Sequence, residues 1–450
     1  MGALKRRPPL SHLVLMWADL VGDEDVEFAY DLIREICEDV GPGTPGSPQE
    51  ERRAALVERR MSEAGFDEVV TEPFGLRPNA FFGWFKLGSA WVVVAILFYV
   101  FGRFPGNPAV LLGTSVVAAA FSGLVILTAA LEFFLYREFV DFLFPKASSQ
   151  NVVGVIRPPR DPKDAPPAPD GGNRPRIVLL SGHHDSAWAF RWLEKLGFGY
   201  YVMMGFIFMG IFSVFLASVA QVFLAAFVPA NVVRFGSVMD YACLVLAPLA
   251  LVAATFFVDT GKDGGTVPGA NDNLSGVALA VAVGRFLKRH PEIHPPGVEI
   301  RVVSFGSEEA GTRGSKRYVA AHLEELEAGS AACCNFDTLA TERISIFTTD
   351  RNSTLRLDRA LAEELGAAAE AAGVSHSVQP FPVFGGGTDA LSFAERGIRA
   401  TTLYAMELPG DMTAWYHQPA DDLSQVNRNA LRNALRVVVQ WLGSWANGES

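Results

Sequence analysis

Four stretches of this 450-residue chain are long, apolar and free of charge, and they constrain its fold more than any other feature. A bilayer core takes about 20 apolar helical residues. Leu87–Gly102 just spans it, with Lys86 and Arg103 snorkelling at its two ends. Ala109–Leu131 follows a turn at Pro105–Pro108, Tyr200–Val228 stops at Pro229, and Tyr241–Val258 begins beside Asp240. Uncharged runs of this length are rare in the cores of water-soluble folds, so the sequence predicts four membrane-spanning helices. They pair into two hairpins, one within 80–145 and one within 196–258. An even number of crossings returns the chain to its starting side. The polar segments 1–79, 146–195 and 259–450 are therefore expected to share one face of the membrane.

Charge decides which face. Lys86, Arg137, Lys146, Arg191, Lys195 and Lys262 flank the spans on the polar side, against Arg103 and Arg234 in the two connections. The positive-inside rule then puts the polar segments in the cytoplasm. The apolar stretch after Lys5-Arg6-Arg7 is short and broken by Asp19, which is not the pattern of a secretory signal. Glu132 and Asp240 lie at segment ends and Gln221 is merely polar, so the spans lack the ionisable residues a permease would use.

The polar segments read as a single α/β unit. Amphipathic helices are predicted at Asp25–Val40, Pro48–Ala64, Ser275–His290, Gly314–Glu327, Leu355–Ala372 and Asn429–Trp445. Strands are predicted at Asn151–Arg157, Arg176–Ser181, Val298–Gly306 and Ala331–Asp337, with a Pro-rich surface loop at Pro158–Pro175. Strands alternating with helices imply a mostly parallel central sheet flanked by helices, here interrupted by two transmembrane hairpins. A net charge of −11 gives no basic face for nucleic acid. Cys37, Cys243, Cys333 and Cys334 form no disulfide framework. The adjacent Cys333 and Cys334 are expected on opposite faces of one strand.

Candidate chemistry gathers where the strands end, the place where open α/β sheets bind ligands. Ser181-Gly-His-His-Asp-Ser186 puts His183 and Asp185 on one face of an extended segment. Gly269-Ala-Asn-Asp-Asn-Leu-Ser-Gly276 opens a helix with small residues that permit close backbone approach, and holds Asp272. Glu308 and Glu309 are adjacent and would repel each other in a solvated loop. Beside a dication they can divide metal binding and proton transfer. Asp337 ends another strand, and His417 lies in Tyr416-His-Gln-Pro-Ala-Asp421. Two histidines and three carboxylates suit a divalent pair such as zinc.

The order of these motifs resembles the M28 family of zinc aminopeptidases, whose patterns run Gly-Ala-His-x-Asp-Ser, Gly-Ala-x-Asp-Asn-x-Ser-Gly, Glu-Glu-x-Gly, Asn-x-Asp and Tyr-His-x-x-x-Asp. They fall here at Ser181–Ser186, Gly269–Gly276, Glu308–Gly311, Asn335–Asp337 and Tyr416–Asp421. The resemblance implies a zinc-exopeptidase-like fold and two zinc ions per chain. Asp272 would bridge the ions, His183 and Asp337 would bind one, and Glu309 and His417 the other. Glu308 would be the general base and Asp185 would orient His183. His184 is expected to line the pocket, and Asp389 to stand behind the metal ligands. The implied partners are a peptide substrate and the lipid bilayer. Two other readings stay open: a glutaminyl cyclase, which resembles this family but uses one zinc, and a catalytically silent receptor or scaffold. Silent relatives usually lose ligands, and none is missing here.

Overall fold

The computed structural model describes residues 16–104, 106–158, 175–228, 240, 248, 251, 267–383, 385–407 and 410–446. In chain order they form α1 (Asp23–Glu35), α2 (Pro48–Glu63), β1 (Glu68–Leu76), α3 (Ala80–Phe101), α4 (Pro108–Thr128), β2 (Ala147–Ile156), β3 (Arg176–His183) and α5 (Gly199–Phe227). There follow α6 (Ser275–Arg289), β4 (Val298–Phe305), α7 (Arg313–Ala328), β5 (Ala332–Leu339), β6 (Ile344–Phe347), α8 (Arg359–Ala371), β7 (His376–Gln379), β8 (Arg399–Ala405) and α9 (Arg428–Ala446).

Eight of the described strands make one sheet in the order β1-β2-β4-β3-β5-β8-β6-β7, and Thr349–Asp350 pairs separately with Leu355–Arg356. Its middle, β4-β3-β5-β8, is parallel, as expected for strands joined by helical crossovers. The edges depart from that expectation. β1–β2, β2–β4 and β6–β8 pair antiparallel, so the sheet is mixed. Alternation sends Val178, Leu180, Val302 and Cys334 to a core shared with α1, α6 and α9. Leu179, Val303 and Cys333 face a second core containing Tyr318 and Val319 of α7. Cys333 and Cys334 thus lie on opposite faces as predicted, while Cys243 lies outside the described residues.

Helix ends follow local chemistry. The Ser47 hydroxyl accepts from the Glu50 N–H at 3.1 Å, and Pro48 starts α2. The helix expected from Leu355 starts only at Arg359, because Leu355–Arg356 pairs as a short strand and the Asp358 carboxylate caps the Leu361 N–H at 2.7 Å. The helix expected to run to Val40 ends as α1 at Glu35 and continues as a wider turn over Ile36–Val40.

Among the described residues three helices are long and apolar enough to cross a membrane: Ala80–Phe101, Pro108–Phe134 and Gly199–Phe227. The 22 residues of α3 rise about 33 Å, matching a bilayer core of roughly 30 Å. Their mutual contacts bury Trp84, Val92, Val125, Ile211 and Val214, whereas Leu97, Phe101, Val116, Phe212, Leu216 and Phe223 are exposed. Of the predicted Tyr241–Val258 span only residues 248 and 251 are described.

Polar groups tie this bundle at both ends. At the far end Arg103 donates to Gln221 at 2.6 and 2.8 Å and also to Asp240, and Gln221 in turn donates to Ser115 at 3.0 Å. At the near end Arg313, the fully buried first residue of α7, meets Glu132 at 2.9 Å and Asp141 at 3.2 Å. The second Glu132 oxygen accepts the Phe139 and Val140 N–H groups. Arg317 and Glu138 add a two-pronged pair at 2.7 and 2.8 Å. The end of the first hairpin is therefore anchored to the helix that follows the Glu308–Glu309 turn.

Candidate metal centre and its cavity

The predicted site residues come from five separate segments of the chain, and the fold brings them together. His183 is the last residue of β3, opposite Phe305 at the end of β4. Glu308 and Glu309 follow in the turn between β4 and α7, and Asp337 is on β5. Asp272 lies in the turn before α6. That turn reaches the sheet because residues without Cβ meet there: a Cβ on Gly276 would stand 2.4 Å from the Phe336 carbonyl oxygen, and one on Gly182 2.8 Å from Gly276.

Asp272 is the hinge of the arrangement. His183 Nε2 lies 3.3 Å from its Oδ1, and His417 Nε2 lies 3.0 Å from its Oδ2. His417 Nε2 is also 3.3 Å from Glu309 Oε1, and His183 Nε2 is 3.7 Å from Glu308 Oε2. Donor atoms of His183, Asp272 and Glu309 all lie within 4.8 Å of one another. Asp337 opens onto the same cavity beside them.

The donors suit a divalent cation. Asp272, Glu308, Glu309 and Asp337 line the cavity with two imidazoles, and no Lys or Arg accompanies them among the described residues. His417 Nδ1 is buried without a hydrogen-bond partner, and Glu309 Oε1 and His183 Nδ1 have only the long contacts to His417 and Asp185, at 3.3 and 3.4 Å. Burial, with the neighbouring Asp272 charge, pushes Asp337 up to about 8. Burial also lifts Glu308 well above the usual carboxylate range. His183 opposes that rise, while Asp389, Glu309 and Asp337 add to it. Burial lowers the His417 pKa, but Glu309 and Asp272 outweigh it and carry the ring up to about 10. This much buried negative charge calls for a cation.

The supporting groups are more numerous than the sequence motifs suggest. The Asp185 carboxylate is 3.4 Å from His183 Nδ1, and it also accepts the Glu308 and Glu309 N–H groups at 3.0 Å each. Asp421 does the same for the other loop, accepting from the Asn271 and Asp272 N–H groups at 2.9 and 3.0 Å. Two charged residues of α2, Glu50 and Arg53, brace the loops from below. Glu50 accepts from Ser307 Oγ at 2.7 Å, and Arg53 donates to the His184 and Pro268 carbonyls at 3.0 and 2.6 Å. A charge three residues from another on the buried face of an amphipathic helix was the available signal.

Two further expectations meet the structure here. His184 does not line the cavity. Alternation along β3 turns it away from His183, and its ring bonds Ser304 Oγ at 2.9 Å, with burial lowering its pKa to about 4. Asp389 is buried behind the wall, next to the lining residue Thr388, and its negative charge raises Glu308.

Residues 257–442 match the family model of peptidase family M28. That stretch is thus similar to an M28 peptidase domain. Aminopeptidase YwaD of Bacillus subtilis is 32% identical over 176 residues, covering 37% of this chain and 35% of that protein. The chain thus spans about a third of the length of that curated relative. Among solved structures, BSAP, a zinc aminopeptidase from Bacillus subtilis, superposes with a TM-score of 0.50 at 17% identity, covering 92% of this chain and 94% of that one. A glutaminyl cyclase from an Acidobacteriales bacterium superposes at 0.51 with 13% identity, covering 100% of both chains. The fold is therefore that of the zinc exopeptidases, a mixed sheet flanked by helices, with long apolar helices inserted.

A cavity of about 370 Å³ leads from the centre. One wall is the strand-end chemistry just described, with Tyr404, Tyr416 and the Gly385–Gly387 loop. The other comes from the apolar helices: Phe81 and Phe82 at the start of α3, Phe133 and Phe134 after α4, and Tyr200, Met204, Gly205 and Phe208 of α5. Phe190 joins the two, its ring edge-on to His417 at 4.4 Å and its N–H donating to the His417 carbonyl at 2.8 Å.

Proposed function

We propose that this protein is a membrane-anchored, zinc-dependent aminopeptidase that removes N-terminal residues from peptides, with two zinc ions per chain. The observation that carries the reading is Asp272 offering one oxygen to His183 and the other to His417, an arrangement suited to a carboxylate shared between two cations. On this reading His183 and Asp337 would hold one ion, Glu309 and His417 would hold the other, and Asp272 would serve both. When bound, zinc would polarise the scissile carbonyl and acidify water. Glu308 lines the same cavity, where its carboxylate would take a proton from the attacking water and return it to the leaving amine. The water oxygen joins the carbonyl carbon as the C–N bond breaks. Asp185 holds the His183 ring and, through two N–H groups, the turn bearing Glu308. The apolar helices, completed by the span at Tyr241–Val258, cross the membrane as two hairpins and leave the catalytic part on the cytoplasmic side. β1 before the first hairpin pairs with β2 after it, and Arg313 anchors the hairpin's end, which supports both of its ends lying on the catalytic side.

Full-length protein in detergent should release leucine from leucyl-anilide, lose that activity to chelator and regain it with zinc, and bind two ions per chain. One ion per chain with pyroglutamate formed from N-terminal glutamine would make it a cyclase instead. Carefully prepared protein that binds no zinc would make it a silent relative.

A further inference from the structure

The cavity extends well past the catalytic centre, and the substrate class its far half selects rests on the aminopeptidase reading of that centre. From Tyr200 to Phe208 the lining follows α5 for eight residues, about 12 Å at ~1.5 Å per residue. That stretch belongs to a helix long and apolar enough to cross a membrane. Its most exposed lining position, Gly205, stands next to exposed Phe206. Opposite stands Phe134, whose ring centre is 6.0 Å from that of Phe208. Among the described residues no charged side chain lines this half. A peptide backbone laid here would bury N–H and C=O groups against rings and methylenes, at a cost of ~1–3 kcal/mol for each unpaired group. A hydrocarbon chain buries no such group and gains from every methylene removed from water.

We propose that the site acts on substrates that bear a long hydrocarbon chain and reach it from within the bilayer. The free amine and scissile amide lie at His183, Glu308 and His417, and the chain lies between Phe134 and the Met204–Phe208 stretch of α5. The hydrolysis is that given above, water adding to the carbonyl carbon and the amine leaving with the proton. Only the substrate class is new.

Two amides that release the same product separate this from the parent reading. In phosphatidylcholine vesicles, full-length protein should release leucine from leucyl-hexadecylamide with a kcat/KM at least tenfold above that for leucyl-propylamide. Gly205→Trp, which fills the gallery at this exposed position, should lower that ratio at least tenfold, and Gly205→Leu should lower it less. A photoactivatable diazirine on hexadecylamine should label the 204–208 stretch of the wild-type protein whether or not metal is present, giving a readout independent of turnover and of how well the variants fold. Equal kcat/KM for the two amides, or labelling confined to other exposed faces, overturns the inference and leaves the peptidase reading standing. Leucine released from neither amide by zinc-loaded protein overturns both.

Discussion

The two walls of the cavity are built on opposite principles. The strand-end wall is polar and held from several directions: Asp185 and Asp421 each accept two backbone N–H groups from catalytic loops, and Glu50 and Arg53 brace three loops from α2. The helix-end wall is made of rings and thioethers in van der Waals contact, with Phe81 to Phe133 centroids 5.7 Å apart and Phe81 to Tyr136 5.1 Å apart. Directional bonds fix where charge sits to within tenths of an ångström, which bond-making chemistry requires. Apolar contacts fix only volume, which suffices to choose what occupies the space. On the proposed reading, chemistry and selectivity thereby fall to different parts of one chain.

Substitutions can break that division, beginning with the chemical wall. Glu308→Gln should lower turnover of any amide by ~10²–10⁴-fold while zinc content stays unchanged. A variant that keeps both its metal and its rate would remove Glu308 from the role of base. The next largest effect is on stability, at the seam between the walls. Arg313→Met leaves the fully buried Glu132 without its cation and should cost about 3–5 kcal/mol, read by thermal unfolding in detergent. Adding Glu132→Leu should recover part of that loss, and no recovery would mean the pair is not the anchor. Asp421→Asn keeps the shape but loses one acceptor for the two loop N–H groups. Zinc affinity, measured by competition with a chromogenic chelator, should fall about 10–100-fold.

The smallest effect concerns pH. Burial, reinforced by the Asp185 charge, pushes Glu50 up to about 8 from 4.5. The folded chain then binds this proton more tightly than the unfolded chain does. Its contribution to stability is complete below about 4.5 and is lost as pH rises through about 8. Urea midpoints of the wild type should decline over that window, and Glu50→Gln should flatten the decline.

The polar wall was largely readable from the chain, because histidine and carboxylate motifs at strand ends have few other uses. The hydrogen-bonded braces were less so: Glu50 and Arg53 sit among the other charged residues of α2 and are distinguished only by facing inward. The position of His184 follows from strand alternation, which turns it from its neighbours His183 and Asp185. The sheet edges were hidden for local reasons. β1 contains Pro73 and Gly75 and is only partly buried, while β8 buries Thr401 and Thr402, whose hydroxyls bond the Phe347 carbonyl and Thr388 Oγ1. Hydropathy marks the long helices but not their destination. That Phe134 and Phe208 meet above a metal centre depends on packing between segments more than 70 residues apart, which no local pattern encodes.

The Arg313 seam also bears on how this protein can be handled. A water-soluble fragment made by excising 80–145 would discard Glu132, Glu138 and Asp141 in one cut, along with the rings that close the cavity. It would maroon a guanidinium in a dry recess directly after the turn carrying Glu308 and Glu309. On the proposed reading, separating the catalytic part from its anchor would disable it, and purification would have to bring the surrounding amphiphile along.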